Sequence, residues 1–138
     1  MRRVTAESNI IVSGLNFPGN ARQLLASAEA GAIRLCVSPA ILEEVAEVLQ
    51  REKFGWSAAE AQEAIDWISQ IADVVEPKQT VDVIKSDPDD NRILECALAA
   101  CADYIISGDK HLLNVTTFYG TPILRAAEFI QLTQGQGD

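Results

Sequence analysis

No apolar run in the 138 residues approaches the roughly 20 that a bilayer crossing needs, so a membrane-spanning helix is excluded. Cysteine is sparse and odd in number. Cys36, Cys96 and Cys101 sit in apolar surroundings without a C-x-x-C pair, which argues against a disulfide framework and for a reducing compartment. Histidine is represented by His111 alone, so a zinc site built from Cys and His is not expected. Positive charge is also short: 11 Lys and Arg stand against 20 Asp and Glu, a net charge of −9. Such a chain repels polyphosphates in general. Its acids either cover a solvated surface or gather in a cleft suited to divalent cations. The opening MRRVTAESNI has two arginines but no long apolar stretch. A signal peptide is therefore not expected, and a cytoplasmic location is.

Apolar residues are plentiful, at 48% of the chain, enough for a core of ordinary size. The length suits one domain, expected over residues 1–132, with TQGQGD (133–138) as a polar tail. Short β-branched or apolar stretches near 2–6, 33–37, 103–109 and 121–124 read as strands, and DVVEP as a further strand-like piece stopped by Pro77. Between them lie helical patterns: one after the first strand, ARQLLASAEAGA ending at Gly31, residues 39–51 behind the Ser38-Pro39 cap, and a stretch capped by Ser57 that runs to about 72. Asp87-Pro88 repeats the cap-then-proline signal for a helix over 88–101, and AAEFIQL is a last helix. Strands alternating with helices indicate α/β architecture, a central parallel sheet covered by helices. In such sheets ligands bind beyond the carboxyl ends of the strands.

Four acids can meet at that edge. Glu7 ends the first strand, and Asp109 follows the strand that closes on Ser107-Gly108. In helix 39–51 the apolar face is Ile41, Leu42, Val45, Val48 and Leu49. At about 100° per residue Glu44 lies about 40° from Val48, at the border of that face, whereas Glu43 and Glu47 turn toward solvent. In helix 88–101 the i, i+3, i+4, i+7 stripe from Asp90 runs through Ile93, Leu94, Ala97 and Cys101. Asp90 thus points inward, Asp87 is placed to cap, and Asp89 is offset toward solvent. Each acid also has an ordinary structural reading: helix-end electrostatics, an amphipathic border, turn chemistry or a strand end. Several carboxylates in one cleft raise one another's pKa unless a cation intervenes, and oxygen-only donors suit Mg²⁺ or Mn²⁺. Such a cation would activate water for phosphodiester hydrolysis.

These pieces together resemble the PIN-domain nucleases, in particular the toxin branch of toxin–antitoxin systems, over roughly residues 3–132. The carrying segments are ESNIIVSGL, LCVSPAILEEVAEVL, DPDDNRILECALAACADYIISGDKHLL and GTPILRAAEF. The resemblance implies a single three-layer α/β/α sandwich with a central parallel sheet, often dimeric, that cuts RNA with Mg²⁺ or Mn²⁺ and is neutralised by a small antitoxin. It assigns catalytic and metal-holding roles to Glu7, Glu44, Asp90 and Asp109, and supporting roles to Asn9 and Ser107. Glu7 departs from the family, which has aspartate there. The extra methylene shifts the carboxylate by about an ångström, a displacement able to cost about a hundredfold in rate. The alternative reading is therefore a catalytically impaired module acting by RNA or partner binding. An aspartyl phosphatase is disfavoured because a D-x-D strand end is missing. Arg22, Arg92 and Lys110 are candidates to guide RNA at the cleft mouth. His111 reads as a surface residue, Trp56 and Trp67 as packing residues, and Cys96 and Cys101 as small core residues.

Overall fold

The computed structural model describes residues 1–85, 87 and 90–135. The first strand, β1 (Arg3–Ala6), leads through Glu7 into α1 (Ser8–Asn16) and then α2 (Asn20–Glu29). Next come β2 (Arg34–Val37), α3 (Pro39–Leu49), α4 (Ala58–Ile71) and β3 (Ala72–Val74). The second half holds α5 (Asn91–Ala100), β4 (Tyr104–Ile106), α6 (Lys110–Val115), β5 (Thr117–Phe118), β6 (Thr121–Leu124) and α7 (Ala126–Gly135). The sheet order is β3-β2-β1-β4-β6-β5, with β5 alone antiparallel. Helices cover the sheet in a three-layer α/β/α sandwich: α5 packs across β1, β2 and β4, whereas α2 packs on β2, α1 and α7. Burial of consecutive residues follows from having both faces covered. Val4, Thr5 and Ala6 are fully buried, as are Leu35, Cys36 and Val37.

Local sequence explains most boundaries. Ser38 accepts a hydrogen bond from the Ile41 N–H, with Pro39 opening α3. Ser57 and Glu60 form a complete capping box at the start of α4. The expected apolar face of α3 is buried at all five positions. Three features differ from the sequence expectation. The 103–109 strand is shorter, and α6 follows it, six residues being too few for a helical period to stand out. β5 folds back on β6 through Tyr119 and Gly120, both in the left-handed region, so the sheet is not wholly parallel. Third, α7 runs to Gly135, past the AAEFIQL stretch expected as the last helix; residues 136–138 lie outside the described residues.

The stripe from Asp90 holds at Ile93, Leu94 and Ala97, which are buried, but Cys101 is exposed. It is the left-handed C-cap of α5 (φ 50°), where the chain has already turned away from the core. Cys36 and Cys96 are buried as expected, and burial pushes the Cys96 thiol up to about 12, so it stays protonated. Trp56 and Trp67 are half-buried; their ring nitrogens donate to Asn16 Oδ1 (2.9 Å) and Glu29 Oε2 (3.3 Å).

Gly14 sets how closely α1 approaches α2. A Cβ there would stand 2.7 Å from Leu25 Cδ1 and 2.9 Å from the Ala21 carbonyl oxygen. Gly14→Ala is expected to lose a net of about 1–3 kcal/mol, because the clash outweighs the gain of about 0.5–1 kcal/mol in helix propensity. Denaturant midpoints measure this; an unchanged or higher midpoint would contradict the close approach.

Candidate active site

Parallel register places the C-terminal ends of β1 and β4 side by side, with Ala6 opposite Ile106. The Glu7 N–H extends that ladder by donating to the Ile106 carbonyl at 3.0 Å. Glu7 stands immediately before α1 and Asp90 immediately before α5, yet neither side chain caps its own helix. Forgoing such a cap costs about 1 kcal/mol. Asp109 precedes α6 and does cap it, accepting from the Leu112 N–H at 3.3 Å. Three helix N-termini with their positive dipole ends thus converge on one edge of the sheet.

Glu7, Glu44, Asp87 and Asp90 line one pocket of about 230 Å³, together with Ser8, Asn9, Arg51 and Arg92. Asp109 does not line it but stands next to Asp90 and near Glu7. Glu7 is only 9% exposed. Its Oε1 accepts from the Gly108 N–H at 3.0 Å, and its carboxylate also takes a bond from buried Ser107. Ser107 Oγ in turn accepts from the Asp109 N–H at 2.9 Å. Ser107 therefore ties two of the acids together. Glu44 accepts a hydrogen bond from the Ser8 hydroxyl, which directs it toward the start of α1. Asn9 is exposed at the pocket wall.

Burial, with like charges close by, governs the electrostatics of the pocket. Burial raises the Glu7 carboxyl above its ordinary value; the Gly108 and Ser107 hydrogen bonds oppose this, while Asp109 and Glu44 add to it. Asp90 is pushed up to about 7, first by desolvation and then by a shared hydrogen bond with Asp109 and the charges of Asp109, Asp87 and Glu7. Its Oδ2 is buried without a hydrogen-bond partner among the described residues. Arg92 lines the pocket, but its guanidinium is paired with Glu95 at 2.9 Å. Lys110 and His111 belong to α6, and Arg22 lies on α2 with its Nε bonded to the Gly14 carbonyl at 3.1 Å. Lys110 and Arg22 do not line the pocket. The cap expected from Asp87 and Pro88 runs into Pro88 and Asp89, which lie outside the described residues.

The donor set suits a hard cation: carboxylate oxygens only, one of them buried without a partner among the described residues, with burial and then crowding raising proton affinity at Glu7 and Asp90. Among the described residues no group of three or more His, Cys, Asp or Glu is arranged to hold a metal ion as it stands. Glu7 and Glu44 would have to turn from Gly108 and Ser8 to join Asp90 and Asp109.

Three residues outside the sequence-based set belong here. Ser8 orients Glu44, and its signal was its place between Glu7 and Asn9. Buried Asn91 accepts at Oδ1 from the Val83 and Ile84 N–H groups (2.9 and 2.8 Å) and donates to the Ile84 carbonyl (2.9 Å). It thereby pins residues 83–84 beside the start of α5, a task only tertiary structure reveals. Arg51 reaches the pocket from just beyond the end of α3.

The family model of the PIN domain matches residues 3–111, and the chain belongs to that family. PIN domains are as a class nucleases that use divalent metals. A solved structure, VapBC2 from Rickettsia felis bound to a DNA fragment from their promoter, superposes with a TM-score of 0.60. The two chains share 13% identity, over 88% of this chain and 96% of that one, a likeness of fold. No curated protein sequence gives a significant match.

A carboxyl that holds its proton more tightly when folded stabilises the fold fully below its unfolded pKa, and that increment is lost as pH rises through the folded value. For Asp90 the window runs from 3.8 to about 7. Discounted for solvent screening, the increment is on the order of 1 kcal/mol. In chelator the melting temperature should therefore fall across this window, and Asp90→Asn should flatten the decline. An equal slope in the variant would show that Asp90 is not the strained group.

Proposed function

We propose that this chain is a Mg²⁺- or Mn²⁺-dependent endoribonuclease, the toxin of a toxin–antitoxin pair, with Glu7, Glu44, Asp90 and Asp109 holding the cation. The observation that carries this reading is the buried Oδ2 of Asp90, without a hydrogen-bond partner among the described residues and crowded by Asp109 and Glu7 at the sheet's C-terminal edge. Family membership supports nuclease chemistry, and the two-component VapBC2 complex supports the antitoxin partner. Dimerisation belongs to the same proposal.

In this reading Asp90 and Asp109 form the centre of the site. Glu7 turns to it from Gly108 and Ser107, and Glu44 from Ser8. Asn9, at the pocket wall, positions the scissile phosphate. When bound, the divalent cation supplies Lewis acidity at the phosphate and acidifies the attacking water. A second reading, a catalytically impaired module that binds RNA or a partner, is favoured by one observation: Glu7, longer than aspartate, spends its carboxylate on Gly108 and Ser107.

Purified protein should cut single-stranded RNA with Mn²⁺ or Mg²⁺ and lose all cleavage in EDTA. Asp109→Asn keeps a side chain able to cap α6, so its expected loss of at least about a hundredfold is chemical rather than structural. Cleavage that persists in chelator would sink the nuclease reading. Glu7→Asp divides the two readings. A rise of about tenfold or more marks a hindered enzyme, whereas silence from both forms across varied RNAs and both metals marks a binding module.

A further inference from the structure

Beside the acidic pocket lies a second groove of about 360 Å³, of a size that takes a small organic ligand. The two share Asn9, Val48 and Arg51 as a common wall. The groove floor is apolar, from Val12 and Val48, and its rim carries Phe17, Phe54, Arg51 and Lys53. Among the described residues no acid lines it, although the chain has nearly twice as many acids as bases.

Local sequence builds this rim. Pro18 forces Phe17 into extended backbone at the end of α1 (φ −132°), which throws its ring out of the helix. The ring remains 52% exposed. It meets Phe54 at a centroid distance of 6.3 Å and a tilt of 56°. Lys53 holds its ammonium 5.4 Å from the Phe54 ring centroid. Arg51 pairs with Glu47 at 3.3 Å, but both side chains are largely exposed, so a phosphate can replace that partner. The two walls are fixed to each other by the Trp56 Nε1 bond to Asn16 Oδ1 at 2.9 Å, adjacent to Phe17.

An exposed aromatic side chain lining the same groove as two cations is the combination that takes a stacked base with its backbone phosphate. We propose that this groove is a subsite for one unstacked nucleotide of single-stranded RNA next to the scissile phosphate, with Phe17 stacking on the base and Arg51 and Lys53 holding the phosphates. The inference rests on the nuclease reading and adds to it where the strand enters. It also gives an acidic chain a place to hold RNA: Arg51 and Lys53 line the groove and, among the described residues, no acid does.

The probe is a short single-stranded oligoribonucleotide carrying 2-aminopurine, whose fluorescence falls on stacking, titrated into full-length protein with Ca²⁺. Binding should quench the probe. Phe17→Ala should weaken binding about tenfold and abolish the quench, and Phe17→Trp should restore both. Arg51→Ala with Lys53→Ala should lower the salt dependence of binding, by about 0.7 in log–log slope for each phosphate no longer neutralised. Because Phe17 is exposed, its truncation leaves the core intact; circular dichroism checks this. Wild-type affinity and quenching in Phe17→Ala would overturn the proposal. So would an effect of Phe17→Ala confined to capture of a co-expressed small protein, which would make the groove a protein site. RNA that is bound through Phe17 yet never cut would uphold the subsite while removing the nuclease reading. RNA that is cut with Phe17 irrelevant to binding would do the reverse.

Discussion

Parallel pairing of β1 with β4 is the constraint on which the site depends. It sets Ala6 opposite Ile106, so the next residues on each strand, Glu7 and Ser107, leave the sheet together at its C-terminal edge. Ser107 and Gly108 then bind the Glu7 carboxylate, and Asp109 follows within reach of Asp90. The backbone ladder thus forces carboxylates together that would separate if left to their charges. Its hydrogen bonds and the buried Val4–Ala6 and Ile105–Ile106 core supply the energy that holds them.

The two edges of the sheet treat charge in opposite ways. Away from the site Asp73 pairs with Arg3 at 3.1 Å and Arg34 at 3.6 Å, and Asp103 accepts from the Arg3 backbone N–H at 2.8 Å. At the C-terminal edge Glu7 and Asp90 have no arginine partner among the described ion pairs, and Arg92 is taken by Glu95. Leaving these acids uncompensated is destabilising on its own and makes sense when a mobile cation completes the charge balance.

Much of this was legible in the sequence because periodicity and capping are local. The α3 face, the Ser38-Pro39 and Ser57 caps and the strand at 33–37 all follow from neighbours along the chain. The inward turn of Glu44 and Asp90 could be read because each lies on or beside an apolar stripe. The missed parts depend on distant partners or short segments. Six-residue α6 and two-residue β5 carry too little pattern to detect. Cys101 sits on the right stripe, but the helix ends beneath it. The capture of Glu7 by Gly108, 101 residues away, and the pinning of residues 83–84 by Asn91 are tertiary hydrogen bonds with no local signature.

The central claim is that acids from the end of β1, from α3, from the start of α5 and from the β4–α6 turn meet to hold one hard cation. Crystals soaked in Mn²⁺ and measured for anomalous scattering test it most directly. The account predicts a peak in contact with Asp90 Oδ2, with Asp109 and Glu7 turned toward it. A peak elsewhere on the acidic surface, or none at millimolar Mn²⁺ with the carboxylates well ordered, would contradict it.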